Sequence, residues 1–372
     1  MEKLLPLRKN VLREYAIYGY FMFLTLANVW GLNSTDKLYY VLVGVAVVCW
    51  GFSQLLTKLS VNYVIKCVAI MALPLINFYY THYLIFIILG MSLIALKDFE
   101  PNHIIKLMGK LWISFILLAL LGTLVGLIKM NPFDGETGYE YRWFYNGSNP
   151  FHIAIVIFFM YYFIIRKEIK WFEFVIIFAL NIGVYKFTIS LGGLLAGIIV
   201  IVGFAIRNYT KQFDKLWKCF SWVMIILSYA SVLLFLVSGF TYKKGNYLSD
   251  LLDKVFTNRI HTMRYILDAY PLTLFGHKMD GRAGYEMMDN AFFNILVSNG
   301  VVILLVILVL YGLLFYKLYK KKMYTEIMIC TMFFAYGAIE QMFRNCFMNF
   351  TLLYFGYVIW KCGKEDERKN DI

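Results

Sequence analysis

The chain alternates long apolar runs with short polar breaks, and only one of its polar stretches is long. The apolar runs cover residues 15–31, 38–55, 61–79, 82–96, 107–128, 150–165, 171–186, 190–206, 219–240, 290–316, 325–344 and 346–360. A helix needs about 20 apolar residues to cross the ~30 Å hydrocarbon core of a bilayer. Backbone groups left unpaired in lipid are costly, so continuous helix is the expected state of each run. The pattern predicts an all-α, polytopic integral membrane protein of about twelve helices, with residues 1–372 forming a single transmembrane domain. Only Tyr80 and Thr81 part the third and fourth runs, and Pro74 is expected to kink the third. No internal repeat is visible, which argues against a repeat-built transporter.

Composition supports this reading. Of the 372 residues, 61% are hydrophobic and 16% charged, whereas soluble domains run about 45–50% apolar. A net charge of +13 raises the question of nucleic acid. The basic residues are dispersed in short clusters between apolar runs rather than gathered in one patch, so nucleic acid is excluded as a partner. The cysteines, at positions 49, 67, 219, 330, 346 and 362, show no metal-ligand spacing and read as structural. The first apolar run lacks a small-x-small exit and is followed by further spans, so no cleavable signal peptide is expected.

Lys and Arg in the loops set the orientation. With the N-terminus inside, 24 of the 36 basic residues fall in inner segments, and most of the outer ones lie in the single long loop. Long loops carry little orienting weight, so the bias in the short loops is stronger still. Both termini are expected to be cytoplasmic. The long segment 241–289, between the ninth and tenth spans, then faces outward, as does the shorter loop 129–149.

The outer segments hold the candidate chemistry. In the long loop, Ile260, Met263, Leu267 and Tyr270 recur at helical spacing, which predicts an amphipathic helix ended by Pro271. His261, Arg264 and Asp268 fall along one side of it. Arg264 and Asp268 are either a solvated i,i+4 pair, adding a few tenths of a kcal/mol, or part of an anion site with Arg259. Arginine's planar fork grips phosphate oxygens two at a time and stays charged. Asp289-Asn290 stands where the loop meets the tenth span. Asp289 is an ionised carboxylate able to accept a proton at the water–lipid boundary, or the pair is a helix N-cap. In the shorter loop, Arg142 lies among aromatics that include Trp143 and Tyr145. Such rings stack on sugars or form an interfacial belt.

Three more ionisable groups sit near the outer ends of spans. Lys186 ends the seventh run, and Glu340 and Arg344 are spaced i,i+4 in the eleventh. Charged groups in membrane helices are costly and often functional; a Glu340–Arg344 pair is the plainer alternative. The chain has no phosphate-binding loop, no H-E-x-x-H and no D-x-D on either face. Any reaction is expected outside, on a donor already activated there.

Together these residues resemble the Wzy-type polysaccharide polymerases and the related O-antigen ligases. The likeness rests on arginines preceding Pro271-Leu272-Thr273-Leu274-Phe275-Gly276, then Asp289-Asn290, nine residues, and Gly300. It is most specific over residues 140–205 and 255–305. The resemblance implies inverting, metal-independent glycosyl transfer on the outer face of the cytoplasmic membrane, without a cofactor. The implied donor is an undecaprenyl-pyrophosphate-linked glycan, with a flippase and a chain-length regulator as possible partners. It implies catalytic roles for Asp289, Arg264, Arg259 and His261. Substrate contacts are implied for Arg142, Trp143, Tyr145, Lys186, Asn290, Glu340 and Arg344. Asp289 stands where ligases usually carry His, which favours a polymerase. Leu191 follows Thr188-Ile189-Ser190 where many members have Arg, and Lys186 is a candidate for the missing charge. The rivals are a ligase, a lipid-linked glycan flippase and a non-catalytic scaffold.

Overall fold

Nearly every apolar run folds as helix, and the long helices leave many large apolar side chains exposed. The computed structural model describes residues 4–32, 36–127, 131–135, 138–142, 148–166, 168–256, 259–280 and 289–360. In chain order the first helices are α1 (Leu4–Val29), α2 (Lys37–Leu55), α3 (Val61–Thr81), α4 (Ile85–Ala95) and α5 (Pro101–Leu124). An antiparallel hairpin follows, β1 (Asn131–Gly135) with β2 (Gly138–Arg142), the one departure from an all-helical chain among the described residues. Then come α6 (Ser148–Ile165), α7 (Trp171–Thr188), α8 (Leu191–Tyr209) and α9 (Asp214–Thr241). The long polar segment holds α10 (Tyr247–Val255) and α11 (Arg259–Ala269). The last stretch holds α12 (Ala291–Asn294), α13 (Val301–Lys320), α14 (Tyr324–Gly337) and α15 (Phe355–Ile359).

Seven of these helices, α2, α3, α5, α7, α8, α9 and α13, are long and apolar enough to cross a membrane. Large apolar side chains such as Val48, Leu118, Ile199 and Leu227 are exposed along them. Apolar surface on this scale is covered by lipid rather than water. The chain is a helical, multi-pass membrane protein.

The chain folds into two compact units. Unit 1 holds Met1–Lys58 and Phe99–Gln212. Its most enclosed helix is α6, where Phe151, Ile157, Phe159 and Tyr161 are all but fully buried. The Trp112 indole of α5 donates to Ala154 O (3.0 Å), satisfying a polar group that would otherwise be stranded. The turn from α7 to α8 is made by Ile189 in the left-handed region (φ 51°) and by Ser190, whose hydroxyl accepts from Gly193 N.

Unit 2 holds Leu59–Asp98 and Phe213–Ile372. Helix α3 runs through Tyr80 and Thr81 and stops at His82, whose left-handed φ of 60° separates it from α4. Three apolar runs depart from continuous helix here. Residues 290–316 begin with the single turn α12, pass through a π-helical turn at Ile295–Asn299, and start again after Gly300 as α13. Residues 325–344 stay helical only to Gly337, and a 3-10 turn at Gln341–Arg344 follows an extended Glu340. Residues 346–360 form a second 3-10 turn, Phe350–Tyr354, and the short α15. Irregular backbone is tolerated at membrane depth only where protein covers it. That cover is an aromatic core of Phe292, Tyr311, Phe334, Phe343 and Phe355. Asn349 serves the freed backbone: its amide donates to Phe343 O (3.0 Å) and its carbonyl accepts from Thr351 N (3.3 Å).

Candidate functional site

The breaks in unit 2 bring together residues that lie far apart in the chain. Helix α11 forms where the spacing predicts it and stops just before Pro271. Ile260, Met263 and Tyr270 are buried, as is Ile266, while Leu267 is only partly covered. This apolar face packs on Phe293 and Val297, which fixes the roll of the helix about its axis. Arg259, at its first turn, is thereby aimed at the loop before α12 and at the break after α14. Its Nε lies 3.1 Å from Asp289 Oδ2 and its Nη2 3.3 Å from Glu340 Oε1, and Nη1 donates to Ile339 O (3.0 Å).

The neighbouring amide closes the same corner. Asn290 Nδ2 donates to Ala338 O (2.7 Å), and Asn290 Oδ1 accepts from Phe293 N (2.8 Å), capping α12. Asn290 is therefore a helix cap and a tie to the broken end of α14. The expected Glu340–Arg344 pair does not form. Their i,i+4 spacing brings side chains together only on a helix, and here the backbone is extended at Glu340. Glu340 turns to Arg259, 81 residues away in sequence. Arg344 instead donates to Asn299 Oδ1 (3.2 Å) and Ser298 Oγ (3.4 Å).

Charge decides what this corner can do. Arg259 carries one positive charge and Asp289 with Glu340 carry two negative ones when ionised, so Arg259 is already committed. Glu340 is nearly enclosed, whereas the Asp289 side chain keeps 37% of its surface exposed. The result is an accessible carboxylate held in place by a guanidinium. That arrangement suits orienting or deprotonating a hydroxyl better than gripping an anion.

The other arginine of α11 is differently placed. Arg264 forms an exposed i,i+4 pair with Asp268 (2.6 Å) and donates to Phe240 O (3.3 Å). His261 is exposed, its ring against Tyr242 and its backbone amide bonded to Asp253 Oδ1 (2.8 Å), and it makes no contact with Asp289. In unit 1, Lys186 is exposed near the end of α7. Only the backbone of Arg142 is described, within β2. Trp143 and Tyr145 lie outside the described residues.

The two stretches that carry the resemblance meet in space. Gly276 (φ 83°) and Gly300 (φ 95°) lie against each other. A Cβ on Gly300 would stand 2.4 Å from Gly276 N and from Leu274 O, so backbone lies directly on backbone. Val301 N and Val302 N, the first amides of α13, donate to Thr273 O (3.0 Å) and Leu274 O (3.1 Å). The Pro271–Gly276 stretch thus caps the restarted helix.

Several polar residues of interest escape the motif reading. Asn77 in α3 donates to Phe275 O and to Asn299 O (both 2.8 Å) and accepts from Asn299 Nδ2 (3.1 Å). The Tyr336 hydroxyl is buried without a hydrogen-bond partner among the described residues, one turn before Glu340. His152 in unit 1 is fully buried. Asn77 and His152 are single polar residues inside apolar runs, and that rule alone would have marked them.

Compared with known proteins, the chain matches no family model, no curated protein and no solved structure. Among the described residues no three His, Cys, Asp or Glu side chains gather as metal ligands.

Proposed function

We propose that this protein polymerises undecaprenyl-pyrophosphate-linked oligosaccharide repeat units on the outer face of the cytoplasmic membrane. The observation that carries the reading is the meeting of Arg259, Asp289 and Glu340 from three separate segments, with Asp289 left accessible. In this reading the twelve apolar runs all traverse or enter the membrane, both termini are cytoplasmic, and segment 241–289 lies outside. A flippase supplies the units and a chain-length regulator acts beside the enzyme.

The acceptor hydroxyl approaches Asp289, which takes its proton. The hydroxyl oxygen bonds to the anomeric carbon of the donor as the bond from that carbon to the pyrophosphate oxygen breaks. The bonding pair leaves on the undecaprenyl pyrophosphate, and the configuration inverts. Arg259 orients Asp289. Arg264, whose exposed pair with Asp268 opens at little cost, meets the leaving pyrophosphate. Cations fixed near developing negative charge typically lower barriers by about 10²–10³ in rate. The two lipid tails confine both substrates to one plane, which removes much of the entropic cost of their meeting.

The test is the size distribution of glycans on the lipid carrier and at the cell surface. Wild type, a deletion and Asp289→Asn, with the variant shown to be inserted and folded, are compared. Single units accumulating on the outer leaflet, with no ladder, is the expected result. Long chains left on the carrier would mean a ligase, and units trapped on the inner leaflet a flippase. An unaltered ladder in Asp289→Asn would remove Asp289 as the base.

A further inference from the structure

The described part of unit 2 holds three arginines, and only one of them lacks an acidic partner. Arg259 is shared by Asp289 and Glu340, and Arg264 pairs with Asp268. Arg344 forms no ion pair among the described residues. Its Nη1 donates to Asn299 Oδ1 (3.2 Å) and Ser298 Oγ (3.4 Å), while its Nε is buried without a hydrogen-bond partner.

The groups around Arg344 hold it firmly and do nothing to neutralise it. Asn299 is fully buried. Its Oδ1 faces the guanidinium and its Nδ2 donates to Asn77 Oδ1 (3.1 Å). Asn77 Nδ2 donates onward to Phe275 O and Asn299 O. Every bond in this series donates away from the guanidinium and ends on a backbone carbonyl. Taking a cation out of water without a counter-charge is costly. A fold seldom keeps one without use, and here two broken helices and the amide of a third are arranged around it.

We infer that Arg344 is an anion-binding group of unit 2, taking a phosphate-type oxyanion on its unpartnered Nε edge, with Asn299 and Asn77 as its positioning residues. Carbonyl and hydroxyl acceptors on Nη1 leave the buried Nε without a hydrogen-bond partner, and this planar fork is the geometry that grips two oxygens of one phosphate. The inference rests on the glycosyl-transfer reading only for the identity of the anion. The same chemistry is offered by a polyprenyl pyrophosphate and by a phospholipid headgroup.

The test uses the full chain in phosphatidylcholine nanodiscs, with binding read by native mass spectrometry. The probes are undecaprenyl pyrophosphate, inorganic pyrophosphate and added phosphatidylglycerol. Charge-assisted hydrogen bonds of this kind predict about 10- to 100-fold weaker binding in Arg344→Gln. Arg344→Lys, which keeps the charge and loses the fork, should recover only part of it. Asn77→Ala should weaken binding several-fold beside Arg344 and add nothing in the Arg344→Gln background. Arg344→Gln protein that is monodisperse and binds all three probes as wild type does would overturn the inference. Loss confined to the two pyrophosphate probes supports a substrate headgroup. Loss confined to phosphatidylglycerol supports the site and assigns it to bulk lipid; the Asp289→Asn ladder then still decides the glycosyl-transfer reading separately.

Discussion

Each unit buries a polar cluster, and the two clusters are built to different ends. In unit 1, His152 is joined to Thr188 Oγ1 through Nδ1 and to Asn181 Oδ1 through Nε2, both at 3.0 Å. Asn181 Nδ2 donates to Leu194 O (3.1 Å), and the single hydroxyl hydrogen of Thr188 serves either Val184 O (3.0 Å) or His152 Nδ1. The helices that carry these groups are unbroken. Gly193 and Gly197 of α8 leave room for them, since a Cβ at either would fall within 2.4 Å of the His152 ring or the Asn181 amide. Small residues at four-residue spacing with a polar bond across the contact are a common way to join membrane helices. The cluster of unit 2 sits on interrupted helices, carries charge, and leaves Arg344 Nε and the exposed part of Asp289 uncommitted. A cluster with every group paired holds a fold together. A cluster with charge to spare can bind something.

The sharpest way to break this contrast is at Gly300. Its φ of 95° and ψ of 163° belong to a region that is essentially reserved for glycine. In Gly300→Ala the new methyl would meet backbone, Leu274 O and Gly276 N, rather than a side chain that could move. Strain and clash together should exceed about 3 kcal/mol. The measured outcome should be loss of folded protein after detergent extraction. A Gly300→Ala protein with wild-type yield and thermal midpoint would mean that the break at Asn299–Gly300 is not a fixed part of the fold.

Next in size is Arg259→Ala. Removing one partner from a buried ion pair typically costs about 3–5 kcal/mol, because the remaining charge stays enclosed. Asp289 can turn to water, so the cost here falls chiefly on Glu340 and should be about 2–3 kcal/mol. Adding Glu340→Gln should restore part of that stability, since no enclosed charge is then left unpaired. Thermal unfolding of the single and double variants in detergent checks this. A double variant no more stable than Arg259→Ala would argue against the Glu340 contact as the source of the cost.

These two sites show what the sequence could and could not reveal. Apolar run length marked the helices well, because burial in lipid depends on composition alone. The buried stripe of α11 was legible from spacing, although Ile266 rather than Leu267 takes the inner place. Asn290 was open to being read as a helix cap, and it caps α12. The breaks were not legible from run length, because a few polar residues do not interrupt a long apolar run. Asn294, Ser298 and Asn299 stand at the break in 290–316, and Glu340 and Gln341 at the break in 325–344, each within an otherwise apolar stretch. The Glu340–Arg344 spacing therefore pointed to a local pair, whereas the true partners, Arg259 and Asn299, lie 81 and 45 residues away in sequence. Gly300 was found only through the motif resemblance, and its partner Gly276 through the same resemblance. Neither signal showed that the two glycines touch.

A smaller effect is expected in unit 1. His152→Ala would leave Asn181 Oδ1 unpaired and open a cavity beside Gly193. Polar contacts between membrane helices are worth about 0.6 kcal/mol on average and up to about 1.7, so a loss of about 1–2 kcal/mol is expected once the cavity is included. The glycan ladder per folded molecule should not change. A ladder lost from well-folded His152→Ala protein would move this cluster from the structural side of the comparison to the functional one.

The smallest effect expected on stability is at Arg264 and Asp268, and its size is what makes the pair useful. Both side chains are exposed and one helical turn apart, a geometry worth about 0.3–0.5 kcal/mol. A double-mutant cycle on thermal stability, Arg264→Ala with Asp268→Ala, should therefore return a coupling of a few tenths of a kcal/mol. Arg264 also bonds Phe240 O, so the single variant should cost slightly more than its partner. With stability nearly unchanged, any large loss of chain assembly in Arg264→Ala reports chemistry rather than folding. Asp268→Ala then separates two readings. If Arg264 meets a leaving pyrophosphate, freeing it from Asp268 leaves assembly intact or raises it. If the pair is only a solvated face of α11, both single variants assemble chains as wild type does, and the anion is left to Arg344.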